Sequence, residues 1–177
     1  VGDPVGDIRH TSLSLSVSRL FDFKQAGAMT ETSKHKRAIH PGDSSPKTLG
    51  AYSHAVAVGN LLFISGQGCR SPKTGHEVGV TMDEFDRLVA YDIEAQTRGV
   101  LDNLIAVLKA ADLTLHDVVD VTVYLAHMSD FDRYNHVYAQ YFNFENPPAR
   151  TTVQVAKLPG KNFIEIKAIA AFSGGSK

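Results

Sequence analysis

The amino-acid sequence predicts an α+β domain, a mixed sheet of short strands with two helices packed on one of its faces. Three observations predict it. Two stretches repeat apolar residues at intervals of three and four. Several shorter ones alternate apolar and polar residues. These elements follow one another in the order β-β-α-β-α-β-β. The 177 residues, 43% apolar and 21% charged, suffice for one domain with its own core and do not match disordered, collagen-like or coiled-coil compositions.

Residues 30–50 carry Thr, Ser, Lys and the prolines Pro41 and Pro46, and read as an extended arm or a short edge strand. His54–Val58 and Leu61–Ser65 are strands, with Gly59-Asn60 between them as a hairpin connection. Gly66-Gln67-Gly68 ends the second strand, where glycine lets a ligand or another chain approach the backbone. Residues 69–90, with Pro72, Gly75 and Gly79, form a long connection of the kind that often carries function. Ile93, Val100, Leu101, Leu104, Leu108 and Ala111 mark one face of a helix from near Asp92 to Ala111.

In Val118–Ala126 the residues Val119, Val121, Val123 and Leu125 share one side of a half-buried strand, with Asp120, Thr122 and Tyr124 on the other. Phe131, Tyr134, Tyr138, Tyr141 and Phe142 give a second amphipathic helix, ended by Asn146-Pro147-Pro148. Ala149–Ala156 and Phe163–Phe172 are the closing strands, joined across Leu158-Pro-Gly-Lys161. Residues 1–28 lack an apolar stripe and are expected to be a disordered leader or an artificial segment, leaving 29–177 as a single domain.

Composition excludes several functions. A net charge of −1 exerts no overall pull toward nucleic acid or anionic lipid. No unbroken apolar run exceeds five residues, far short of the roughly 20 needed to span a membrane. One cysteine, Cys69, precludes an intrachain disulfide and a cysteine-based zinc site, and a cytoplasmic protein is expected. The eight histidines form no His-Glu-x-x-His or close His-x-His set, so no metal site is expected. The basic Ser33-Lys-His-Lys-Arg37 reads as a solvated arm.

The closing strands carry the chemistry. Alternation sets Thr151, Val153 and Val155 against Arg150, Thr152 and Gln154, and Ile164, Ile166, Ala168 and Ala170 against Glu165 and Lys167. If both apolar sides pack on the helices, Arg150, Thr152, Glu165 and Lys167 share the opposite face. Arg150 follows the stiff Pro147-Pro148-Ala149, and a guanidinium grips a carboxylate with two prongs. Glu165 stands among Ile164, Ile166 and Ile169, where desolvation raises a carboxyl pKa toward a useful acid–base range. A carboxylate clamp with one tunable carboxyl is a minimal kit for adding water to an imine.

The chain resembles the RidA/YjgF family of enamine/imine deaminases over about residues 36–172. The matching stretches are Gly50-Ala-Tyr-Ser-His54, Leu62-Phe-Ile-Ser-Gly-Gln67, Ala95-Gln-Thr-Arg98 with Leu101-Asp-Asn103, and Asp130-Phe131 with Asn135. Pro148-Ala-Arg-Thr-Thr-Val-Gln-Val-Ala-Lys-Leu-Pro159 followed by Ile164-Glu-Ile166 is the most specific combination. Within the family, Tyr91-Asp-Ile-Glu-Ala-Gln-Thr-Arg98 and Tyr134-Asn-His-Val-Tyr-Ala-Gln-Tyr-Phe142 look most similar to 2-aminomuconate deaminases.

The resemblance implies a chorismate-mutase-like protomer in a homotrimer with a central, barrel-like core and active sites in the clefts between subunits. It implies that Arg150 binds the substrate carboxylate, that Glu165 positions the attacking water and relays protons, and that Tyr52 covers the ligand. It places Gly66, Asn135 and Thr152 at the site, Thr152 standing where generic members often carry cysteine. The implied substrate is a small dicarboxylate enamine, 2-aminomuconate, hydrolysed to 4-oxalocrotonate (2-hydroxymuconate) and ammonia in aromatic-compound catabolism without metal or organic cofactor. A broad 2-iminoacid deaminase and a non-catalytic ligand-binding trimer are the alternatives. Lys167, Arg70 and His54 are candidates for the partner of the distal carboxylate.

Overall fold

The computed structural model describes Gly2 and residues 35–173, and the fold belongs to the compact unit that begins at Lys36. The expected leader, Gly2 aside, lies outside the described residues. The strands are β1 (Lys36–Ile39), β2 (Ala55–Val58), β3 (Leu61–Gln67), β4 (Val80–Met82), β5 (Leu88–Tyr91), β6 (Val118–Leu125), β7 (Ala149–Gln154) and β8 (Ile164–Ala171). The helices are α1 (Ile93–Lys109) and α2 (Phe131–Tyr141).

Six strands form one mixed sheet in the order β1-β2-β3-β8-β6-β7, antiparallel throughout except for the parallel pair β6–β7. The parallel pair follows from chain direction, because α2 carries the chain back to the starting end before β7 begins. The expected edge strand is β1. Gly59, at φ 58°, supplies the left-handed residue that the two-residue turn between Val58 and Leu61 requires. One face of the sheet is buried by the helices: Leu62, Ile64, Val121, Val123, Leu125, Ile164 and Ile166 meet Ile93, Val100, Leu101, Leu104 and Leu108 of α1 in one core.

The connection 69–90 is not a plain loop. It holds the small hairpin β4–β5, whose turn is organised by Asp83 Oδ1 accepting from the backbone N–H groups of Phe85 and Arg87. Strands of three and four residues carry too little alternation to be read from sequence.

The side-chain phase of β7 departs from expectation. Val121 stands opposite Arg150 and Val123 opposite Thr152, and directly opposed residues point to the same side of a sheet. Arg150 and Thr152 therefore project on the helix side. Tyr124 pairs with both Glu165 and Val153, which puts those two on the open side with Lys167. The shared face of Arg150, Thr152, Glu165 and Lys167 is thus corrected to two faces. The physical reason is that β7 is an edge strand, so this chain's core does not set its apolar phase. Val153 is left 38% exposed, and Phe63 of β3 is 41% exposed.

Candidate active site

On the open side, Glu165 lies against Gly66. Between Ile64 and Gln67, β3 has one residue more than β8 has between Ala168 and Ile166, a bulge that bends the strand end. A Cβ at Gly66 would overlap Glu165 Oε1, so the carboxylate occupies the space that a side chain at 66 would need. Burial pushes the Glu165 carboxyl above the usual carboxylate range. Among the described residues, no Lys, Arg or His pairs with it. An unpaired, partly desolvated carboxyl is a group suited to taking and returning one proton.

Glu165 and Gly66 line a pocket closed on one side by the segment 45–54 and on another by the loop 68–70. Tyr52, 49% exposed, stands at this pocket with its hydroxyl accepting from the Leu49 N–H at 3.4 Å. His54 also lines it, but both ring nitrogens are engaged. Nε2 is 2.9 Å from the Pro46 carbonyl and must donate, and Nδ1 lies 3.4 Å from His40 Nδ1, the two nitrogens sharing one hydrogen. Lys167 is exposed and outside the pocket wall, whereas Arg70 is part of it.

On the helix side, Arg150 is held by α2. Its Nη1 donates to Asn135 Oδ1 at 2.8 Å, and its guanidinium lies 4.6 Å from the Tyr138 ring centre and 5.7 Å from that of Tyr134. Thr152 Oγ1 shares a 2.5 Å hydrogen bond with the Tyr134 hydroxyl. The Tyr138 hydroxyl is buried without a partner, and burial pushes it up to about 12. The sequence-predicted residues thus fall into two groups. Glu165, Gly66 and Tyr52 meet at the open-side pocket, and Arg150, Asn135 and Thr152 meet beside α2.

Three positioning residues were not anticipated. Asn103 of α1 donates through Nδ2 to the carbonyls of Gly68 (2.8 Å) and Arg70 (2.9 Å). Gln96 donates to the Lys161 carbonyl (2.9 Å) and accepts from the Phe163 N–H (2.7 Å). Asn162 Oδ1 accepts from the Cys69 N–H at 2.8 Å. Together they fix the two loops bordering the pocket. The available signal was two amides, Gln96 and Asn103, interrupting the apolar stripe of α1, where a buried amide needs partners. Cys69 beside them is buried, and desolvation pushes its thiol up to about 12, so it is inert as a nucleophile. Among the described residues no His/Cys/Asp/Glu group could hold a metal ion, and no helix is long and apolar enough to cross a membrane.

Comparison with known proteins gives this geometry its context. The family model described as Endoribonuclease L-PSP matches residues 42–172. The chain belongs to the RidA/YjgF/L-PSP family. A RutC family protein of Pyrococcus horikoshii is 48% identical over 128 residues, covering 72% of this chain and 92% of its own. The 2-iminobutanoate/2-iminopropanoate deaminase of Escherichia coli is 38% identical over 130 residues, covering 72% of this chain and 92% of its own. The crystal structure of E. coli TdcF with bound serine superposes with a TM-score of 0.67 at 33% identity, covering 77% of this chain and 99% of that one. The six-stranded sheet with two helices is therefore this family's α+β protomer.

Proposed function

We propose that this protein hydrolyses 2-imino acids and their enamine tautomers to 2-oxo acids and ammonia. The observation that carries the reading is Glu165, an unpaired carboxyl held against the Gly66 backbone at a pocket, with its pKa raised by burial. The relatives reported above favour 2-imino acids over the narrower 2-aminomuconate expectation, because one of them is named for exactly that substrate class.

We place the complete site between two copies of the chain. Arg150 and Glu165 lie on opposite sides of one sheet, so a site that uses both takes each from a different protomer. The partly exposed Phe63 and Val153 on the open side support a neighbouring copy covering that face, in a trimer. In this arrangement Arg150, oriented by Asn135 and the Tyr138 ring, grips the carboxylate next to the imine carbon.

The steps follow from the two groups. The imine nitrogen is first protonated by solvent, and ionised Glu165 then takes a proton from water as the water oxygen bonds to the imine carbon and the C=N π pair moves onto nitrogen. The carbinolamine results. Protonated Glu165 then returns its proton to nitrogen, the C–N bond breaks, and ammonia leaves as the hydroxyl proton passes back to solvent, giving the oxo acid and ionised Glu165. A carboxyl with raised pKa serves both directions better than an ordinary one. Positioning and proton transfer account for the acceleration.

The test is addition of the purified protein to 2-iminobutanoate generated in situ, with freshly made 2-aminomuconate alongside. Faster imine loss coincident with ammonia release is expected for the first. Acceleration of 2-aminomuconate alone would restore the narrower substrate, and acceleration of neither removes the deaminase reading.

A further inference from the structure

A second cavity opens where β6 ends and β8 begins. Its volume is about 300 Å³, at the lower end of what small ligands occupy. Leu88 of β5, Leu158 and Phe163 supply apolar walls, and Lys157 and Lys161 also line it. Among the described residues, no Asp or Glu is in the lining. Lys161 Nζ has one ionic contact, a 3.6 Å approach to the exposed Asp86, and among the described residues no carboxylate pairs with Lys157. The cavity therefore carries positive charge that the chain itself does not answer.

Its aromatic wall is fixed in place. The Tyr91 hydroxyl donates to Asp130 Oδ2 at 2.8 Å, and the Phe163 ring lies parallel to the Tyr91 ring, with centres 3.6 Å apart and planes 1° apart. The Phe163 N–H donates to Gln96 Oε1 at 2.7 Å, and its carbonyl accepts from the Ala126 N–H at 2.9 Å. Tyr91 covers one face of Phe163 and is not in the lining, so the cavity meets the rest of the Phe163 ring. His127 brings another ring to the lining, its plane 28° from that of Phe163. Aromatic surface held by backbone and ring contacts favours a flat ring, stacked offset or packed edge to face. Ammonium groups beside it favour an anionic group on that ring.

We propose that this cavity binds a small aromatic carboxylate, its ring against Phe163 and its acid group paired with Lys157 and Lys161. The site is separate from the one that holds the imine. The loop 158–162 borders both: Pro159 and Asn162 line the Glu165 pocket, and Leu158, Gly160 and Asn162 line the cavity. The proposal does not rest on the deaminase reading, and its test reads binding rather than turnover.

The experiment titrates the full chain with 2-naphthoate by calorimetry, with 2-naphthylmethanol as the uncharged comparison. One site per chain is expected for the acid, with the alcohol weaker by about tenfold or more. The double variant Lys157→Glu, Lys161→Glu is expected to weaken 2-naphthoate by about a hundredfold. Reversing two exposed lysines outside the cavity, Lys36→Glu with Lys109→Glu, makes the same change in net charge and should leave binding unaltered. Arg150→Ala should retain binding as well. No binding of 2-naphthoate by the wild type overturns the proposal, and so does an equal loss in the two lysine pairs. Loss in Arg150→Ala with full binding by the Lys157/Lys161 variant places the acid in the imine site and also overturns it. Should that double variant fail to fold, the exposed Lys157 decides alone: a loss of about tenfold in Lys157→Glu supports the proposal, and unaltered binding overturns it.

Discussion

The carboxylate of Glu165 occupies the volume that a side chain on Gly66 would fill. The two residues sit on neighbouring strands at the one place where β3 carries an extra residue, so the bulge and the glycine together make room for the acid. Gly66→Ala must push Glu165 aside. We expect kcat to fall by about tenfold or more, since a displacement near 1 Å is costly in a positioned site. Circular dichroism should show the fold retained, and unaltered kcat would disconnect the glycine from the chemistry.

Glu165→Gln keeps the shape and removes the proton. The expected loss in kcat is about 10²–10⁴-fold with a smaller change in KM. The wild-type kcat/KM should rise with pH along a limb displaced above the ordinary carboxylate range, because burial raises this carboxyl. That limb should be missing from whatever activity Glu165→Gln retains.

The same shift predicts a stability effect of opposite sign. A carboxyl whose folded pKa lies above its unfolded value favours the folded state below the unfolded pKa, and this contribution is lost as pH rises through the folded one. Glu165→Gln should therefore melt at or above the wild-type Tm near neutrality. The difference should shrink below about pH 4, where the unfolded carboxyl is also protonated. A Tm lower than wild type at neutral pH would contradict it.

Arg150 is aimed by its neighbours. Loss of the Asn135 contact in Asn135→Ala should raise KM severalfold with little effect on kcat, because it loosens the clamp without removing it. Arg150→Ala should raise KM steeply. Arg150→Lys should rescue poorly, since an ammonium has neither the two-pronged grip nor the planar face that lies over Tyr138. Steady-state kinetics on one imine decides all three.

Asn103 binds two carbonyls from a buried position. Asn103→Ala leaves both without that donor and should cost about 1–3 kcal/mol in urea denaturation. Full stability would show that water replaces the amide without loss.

Much of the fold was legible because its signals are local. The stripe from Ile93 to Leu108 and the alternation of Val121, Val123 and Leu125 follow helix and strand periods and so mark what faces the core. Gly59-Asn60 named its own turn. The hairpin β4–β5 was not legible, because its strands are too short to show a period and Asp83 organises the turn through its side chain.

At the candidate site, the sequence alone determined which side chains have the right chemistry: a guanidinium after two prolines, a carboxyl among isoleucines, and glycines at a strand end. Tertiary structure decided where they point. Alternation shows that a strand has two unlike sides, but which one meets the helices depends on pairing register. In β7 the parallel register with β6 turned Arg150 and Thr152 toward α2 and away from Glu165. The partners of Asn103, the carbonyls of Gly68 and Arg70, were equally out of reach of the sequence. They depend on segments far apart in the chain being brought together by the burial of α1 against the sheet.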